Sequence, residues 1–294
     1  MVGGTYPTSP HERRRGIVMV VGSAVLWSTA GLFVRLATLD TASLVAWRSF
    51  FAALVLGGLA TARGGPARIL AVRRSGWVGV LFMGTSIISG TAYVLSLRLT
   101  SVANVMTVYA ALPFIATGIG FFWIHERVSR RFLVAGALAT CGIVAMAGAS
   151  TGLGDLAGIG AAFVMTAGFA VQLVAIRRHG GVDVMALNAC AALACVPLML
   201  PFVQVLLPSP VQLVWCAAYG AVTTGFAYVL ALEGGRRVPP GEVGFISMLD
   251  VVLGPLWVWL AFAERPGLTV IAGGAVVLGS VAWYLWSNPA PDQA

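Results

Sequence analysis

No lysine occurs among the 294 residues, and aspartate and glutamate together number only 10. The first absence removes whole classes of chemistry. There is no P-loop lysine to grip a nucleotide's phosphates, no amine for a Schiff base and no catalytic lysine. ATP hydrolysis by the usual phosphate loop is excluded. Charge of either sign is scarce too: 10% of the residues carry it, against roughly 25% in soluble domains. The four cysteines, Cys141, Cys190, Cys195 and Cys216, lie inside apolar runs, form no C-x-x-C pair and sit in no loop suited to a disulfide. His11, His125 and His179 are far apart, so no metal site is expected. The sequence also has no H-E-x-x-H, no G-x-S-x-G and no paired intramembrane aspartates. Neither an enzyme nor a cofactor is expected.

What is present is hydrophobicity, 59% of the chain. Ten apolar stretches cover 16–36, 42–62, 75–97, 102–124, 131–149, 155–176, 183–206, 210–232, 240–262 and 268–287. Each is close to the roughly 20 residues that cross a bilayer as helix. The fold class is therefore read as all-α integral membrane, with ten transmembrane helices joined by short loops. Segment 1–15 is polar and basic, with no cleavage site after the first apolar run. That run is read as a retained helix behind a cytoplasmic tail, and 288–294 is read as a second tail. The net charge of +8 is all arginine. Arg13, Arg14, Arg15, Arg63, Arg68, Arg73, Arg74, Arg127, Arg130, Arg131, Arg177, Arg178, Arg236 and Arg237 fall on one side of the implied topology. Only Arg35, Arg98 and Arg265 fall near the other. Positive charge stays inside, so both termini are expected in the cytoplasm of a multi-pass inner-membrane protein. The basic balance reflects topology, and nucleic acid is not an expected partner.

The two halves repeat. Residues 90–97 read GTAYVLSL and 225–232 read GFAYVLAL, identical at six of eight positions. Ser28-Thr29-Ala30-Gly31 matches Met165-Thr166-Ala167-Gly168, and His125-Glu126-Arg127 matches Ala263-Glu264-Arg265. The offset stays between 135 and 138. Repeats at 16–150 and 155–287 would each hold five helices, an odd number, so the second enters the membrane upside down. Such inverted-topology repeats build many secondary transporters.

Leu26-Trp27-Ser28-Thr29-Ala30-Gly31 with Arg35, Arg48 in helix 2, and Leu112-Pro113 followed by Glu126-Arg127 resemble the EamA-type drug/metabolite transporter superfamily. So does the segment Leu249 to Pro266, with Asp250, Pro255, Glu264 and Arg265. That last segment is most similar to the bacterial aromatic amino-acid exporter branch, although Val251 stands where the branch usually has proline. The small multidrug relatives couple to protons through an acid in helix 1, and no acid lies between Gly16 and Leu36 here. The resemblance implies a central cavity among helices 1, 3, 4, 6, 8 and 9. It implies a carrier that exports amino acids, aromatic and neutral ones preferred, by alternating access. Uniport and proton antiport stay open. The alternatives are export of other metabolites or lipophilic cationic drugs, and, in another class, a non-transporting membrane scaffold. Partners are membrane lipid and the small-molecule substrate.

Cavity candidates are aromatic or polar residues inside apolar helices: Trp27, Tyr93, Tyr109 and Tyr228, with Ser28, Thr29, Asn104 and Gln172 to supply hydrogen bonds. Ordinary packing is the bland alternative for each. Asp250 is the acid nearest any helix centre, where a charge costs about 2.5–3.5 kcal/mol. It can meet a substrate ammonium, exchange protons, or be paired structurally. Pro113 and Pro255 are hinge candidates, because each removes a backbone donor and leaves the Tyr109 or Val251 carbonyl without its helical partner. Either can instead be a kink that merely shapes packing. Arg48 can reach a carboxylate, snorkel outward or tie helices together, and the structural role is favoured. Glu126 and Glu264 end helices, where an acid opposes the dipole, so each is expected to cap the helix that follows. Gly136, Gly142, Gly273 and Gly279 permit close helix contact, within one subunit or across a homodimer.

Overall fold

Hydropathy and the backbone agree on where the chain is helical. The computed structural model describes residues 10–65, 67–124, 130–148, 152–179, 181–238, 243 and 246–287. Glu126 lies outside the described residues, as do segments 1–9 and 288–294. In the first half run α1 (Pro10–Ser28), α2 (Ala30–Leu36), α3 (Thr41–Gly64), the short α4 (Ala67–Leu70), α5 (Gly76–Leu99), α6 (Val102–Ala110), α7 (Leu112–Ile124) and α8 (Arg130–Gly148). The second half holds α9 (Leu153–Arg178), α10 (Val184–Met199), α11 (Pro210–Ala218), a π-helical segment (Tyr219–Phe226), α12 (Ala227–Gly235), α13 (Leu249–Phe262) and α14 (Leu268–Ser287). Among the described residues there is no strand.

Seven helical stretches are long and apolar enough to cross a membrane: Pro10–Leu36, Thr41–Gly64, Ala67–Leu99, Val102–Trp123, Leu153–Arg178, Val184–Phe202 and Pro210–Gly235. Shorter apolar helices occupy Leu133–Ala145, Leu249–Phe262 and Leu268–Trp283. Large apolar side chains such as Val80, Phe122, Leu153 and Leu268 stand exposed around the outside. Lipid, rather than water, suits that surface. The chain is a multi-pass helical membrane protein.

Several local expectations shift. The first helix starts at Pro10 rather than at 16. Proline is at home in a first turn, and Glu12 there faces the positive helix end while pairing with Arg237 at 3.1 Å. The rod then breaks at Thr29. Ser28 and Thr29 donate their hydroxyls to the Val25 and Leu26 carbonyls, at 2.7 and 2.6 Å, a local bond that bends helices. Pro113 does not interrupt a helix from within. The interruption falls at Ala111, and Pro113 sits in the first turn of α7, where no intrahelical donor is needed. The Ala111 N–H turns back to the Val108 and Tyr109 carbonyls. Pro255 does lie inside α13. The α-helix expected to reach 206 stops at Met199, because Pro201 has no N–H for the Pro197 carbonyl.

Helices pair across the halves: α5 packs on α9, α3 on α10, α1 on α12 and α8 on α14. A Cβ on Gly142 would lie 2.8 Å from the Gly273 carbonyl oxygen, so these two glycines serve contact within the chain. Polar links tie the halves at both ends. At one end Arg63 meets Glu233 at 2.7 Å and Arg68 grips Asp183 through two nitrogens. At the other, Glu264 makes no bond to the amides of the next helix among the described residues. Arg35 reaches its Oε2 with Nε and Nη2, at 2.9 and 2.7 Å, and extends Nη1 to the Leu97 carbonyl. A guanidinium offering two donors outcompetes amides that begin four residues further on.

Candidate functional site

The breaks and cross-half pairings leave a cavity of about 310 Å³ between the halves. Its wall draws on both halves. The first half gives Trp27 and Ala30, Arg48 and Ser49 of α3, Ser86 and Tyr93 of α5, and Met106 and Tyr109 of α6. The second gives Phe169 and Gln172 of α9, Asn188 of α10, Tyr219, Thr223 and Thr224 of the π segment, Tyr228 and Asp250. Helices 2 and 7 of the ten apolar stretches thus join the six expected to surround it. The wall is mostly apolar and aromatic, with Tyr109 edge-on to Phe169 at 6.3 Å between ring centres. That composition, with a few polar groups converging, is typical of small-molecule sites.

Of the residues singled out in the sequence, Trp27, Tyr93, Tyr109, Gln172, Tyr228, Asp250 and Arg48 come together here. Ser28, Thr29 and Asn104 do not line the cavity. The Ser28 hydroxyl also accepts from Trp257 Nε1 at 2.8 Å. Asn104 donates to the Thr100 hydroxyl, which donates to Asp155, each bond 2.7 Å, linking α6 to the start of α9. Pro113 follows Leu112, which does line the wall, and Pro255 lies off it. Asn188, Tyr219, Thr223 and Thr224 were not anticipated. Asn188 and Tyr219 carried a usable signal, polar groups inside apolar helices. Thr223, four residues from Tyr219, would share its face in any helix, whereas Thr224, five residues on, joins the same wall through the π turn.

Polar atoms in the wall are unevenly satisfied. Gln172 accepts from Ser86 at 3.1 Å, and Asn188 donates to the Tyr228 hydroxyl at 2.7 Å. Gln172 Nε2, Arg48 Nε, the Tyr219 hydroxyl and Asp250 Oδ1 are buried with no hydrogen-bond partner among the described residues. Arg48 and Asp250 are 9% and 7% exposed, and among the described residues neither belongs to an ion pair. Burying unpaired charge costs several kcal/mol per ion. One guanidinium and one carboxylate are thus held open in the same chamber, amid aromatic rings. A molecule carrying both charges satisfies both.

At the Arg63–Glu233 end a second, polar pocket of about 370 Å³ is lined by Arg63, Arg68, Asp183, Glu233 and Arg236. Its charges are paired with one another. It is an ionic seam between the halves, and its charges, unlike those of the aromatic chamber, are matched.

Known proteins place this architecture. A solved crystal structure of a protein 22% identical in sequence shares the fold with a TM-score of 0.65, over 91% of this chain and 95% of the other. No curated protein matches. The model of the EamA-like transporter family matches twice, over residues 14–148 and 152–286. Two copies of that model account for both halves, and their meeting surface encloses the chamber: the chain belongs to the EamA-like transporter family.

Proposed function

We propose that this protein is a secondary carrier that exports amino acids, aromatic and neutral ones preferred, by alternating access across the inner membrane. Ten helical crossings and two cytoplasmic termini follow from the ten apolar stretches and the placement of arginine. Family membership supports transport of a small molecule. The observation that carries the amino-acid reading is the pair of unpartnered opposite charges, Arg48 and Asp250, in one aromatic-walled chamber. A lipophilic cation would gain from Asp250 but be repelled by Arg48. An amino acid presents a carboxylate, an ammonium and a side chain suited to the aromatic wall.

Counterflow in proteoliposomes tests the proposal. Vesicles preloaded with an amino-acid panel are expected to accumulate labelled phenylalanine or a neutral amino acid. Repeating the assay at two pH gradients separates uniport from proton antiport. Absence of counterflow for every amino acid, with uptake of cationic dyes instead, would overturn the substrate class.

A further inference from the structure

We infer that Arg48 and the π-helical turn facing it form the carboxylate-binding subsite of the chamber, so that a substrate is held by its anionic end on this side. The inference rests on the amino-acid reading above and adds an orientation to it. Arg48 is built in from several directions. Its guanidinium lies 5.3 Å from the centre of the Tyr219 ring, and Nη1 is 3.5 Å from the Thr224 hydroxyl. Nη2 runs so close to Gly90 that a Cβ there would be 3.0 Å away. Behind it, Gly220 admits the backbone of α3: an added Cβ would be 2.3 Å from the Arg48 carbonyl oxygen. These contacts fix the position of the cation without neutralising its charge.

A purely structural arginine inside a membrane protein meets a carboxylate or several backbone carbonyls. Among the described residues Arg48 has one long bond, to a hydroxyl, and Nε has no partner. The neighbours suit an anion. The Tyr219 hydroxyl is buried and unbonded, and Thr224 has a hydroxyl at the guanidinium edge. A carboxylate seated there accepts from the planar fork of the guanidinium and from the tyrosine. Tyr219 and Thr223, four residues apart, share a face as in any helix; the widened turn adds Thr224, five residues on, to the same wall, and π turns recur at functional sites for this kind of reason. Asp250 is left for the ammonium.

The test uses the full chain in detergent and three probes: L-phenylalanine, 3-phenylpropanoate, which lacks the amine, and 2-phenylethylamine, which lacks the carboxylate. Binding is read by calorimetry and by thermal shift, with phenylalanine counterflow in proteoliposomes alongside. Arg48→Gln is expected to weaken phenylalanine and phenylpropanoate by about 10- to 100-fold, the range of a lost charge-assisted hydrogen bond, and to leave phenylethylamine unchanged. Gly90→Ala, which pushes the guanidinium aside, shifts the same two probes in the same direction by a smaller factor. Arg48→Lys restores the charge without the fork and recovers part of the loss. Equal weakening of all three probes marks a structural arginine and overturns the subsite. So does phenylalanine counterflow that Arg48→Gln leaves intact, while the amino-acid reading stands. Phenylpropanoate binding that depends on Arg48, with no counterflow of any amino acid, keeps the subsite and removes the amino-acid reading. Failure of the wild-type protein to bind either carboxylate removes the subsite outright.

Discussion

The two halves use nearly the same eight residues to different ends. GTAYVLSL, 90–97, lies within the regular helix α5, while GFAYVLAL, 225–232, begins inside the π segment and runs into α12. Both first glycines face α3. Gly90 abuts the Arg48 guanidinium, and Gly225 abuts Val55, whose Cγ1 would be 2.6 Å from an added Cβ. Both tyrosines reach the chamber. Tyr228 is fixed by Asn188, whereas the Tyr93 hydroxyl makes no hydrogen bond among the described residues. The charges divide likewise, Arg48 from the first half and Asp250 from the second. Duplication supplies the symmetric frame, and a few departures from symmetry give the chamber a positive wall and a negative one. A strictly symmetric chamber could not bind a zwitterion in one orientation.

The largest effect is expected from erasing one pole. Asp250→Asn should cut phenylalanine affinity by about 100-fold, the upper range for a hydrogen bond to a charged group. Thermal stability should hold or rise, since the variant no longer buries an unpaired carboxylate. Normal counterflow by that variant would assign Asp250 no part in transport. Next comes the glycine pair. Gly225→Ala drives a methyl into a stiff β-branched side chain and should cost about 2 kcal/mol, against less than about 1 kcal/mol for Gly90→Ala, whose neighbour is the tip of a flexible chain. Thermal denaturation in detergent ranks them, and equal losses would show that the π turn does not tighten the second-half contact. A smaller contrast is expected from the tyrosines. Tyr228→Phe should lose about 1 kcal/mol with its bond to Asn188, and Tyr93→Phe close to none.

The smallest contrast concerns the aspartates that cap the second helix of each half. Asp40 caps α3 through the Ser43 amide, and Asp183 caps α10 through the Ala186 amide. Burial pushes both carboxyls up, but the Ser43 bonds at one and the Arg68 grip with the Ala186 and Met185 amides at the other outweigh it. Both therefore sit below the ordinary 3.8. A carboxyl lowered by folding stabilises above its unfolded value and loses that contribution as pH falls through the folded one. Both caps should therefore hold from neutral pH to about pH 4 and weaken below it. Salt separates them. Only Asp183 has an arginine partner, so raising ionic strength should erode its contribution, about 1 kcal/mol or less, and leave Asp40 untouched. Melting curves of Asp183→Asn and Asp40→Asn at low and high salt read the difference.

Long apolar runs and the repeated GxAYVLxL word made the helices and the duplication readable, because both are properties of short windows. The aromatic wall was readable for a related reason: Trp27, Tyr93, Tyr109 and Tyr228 stand out from their helices. Small hydroxyls misled. Ser28 and Thr29 satisfy themselves on carbonyls three residues back and have little left for a cavity. The partner of Glu264 lies 229 residues away, beyond any local pattern. The π turn has no marker of its own, and without it Arg48 reads as a tie between helices rather than as one pole of a chamber.

The pairing of α5 with α9, α3 with α10, α1 with α12 and α8 with α14 has a consequence for biogenesis. Every one of these partnerships joins an early segment to one that leaves the ribosome much later. The first half therefore waits in the bilayer with its glycine-rich faces uncovered until the second is inserted. Two halves made as separate polypeptides should find each other and restore the protein, and either one made alone should be cleared by membrane proteolysis.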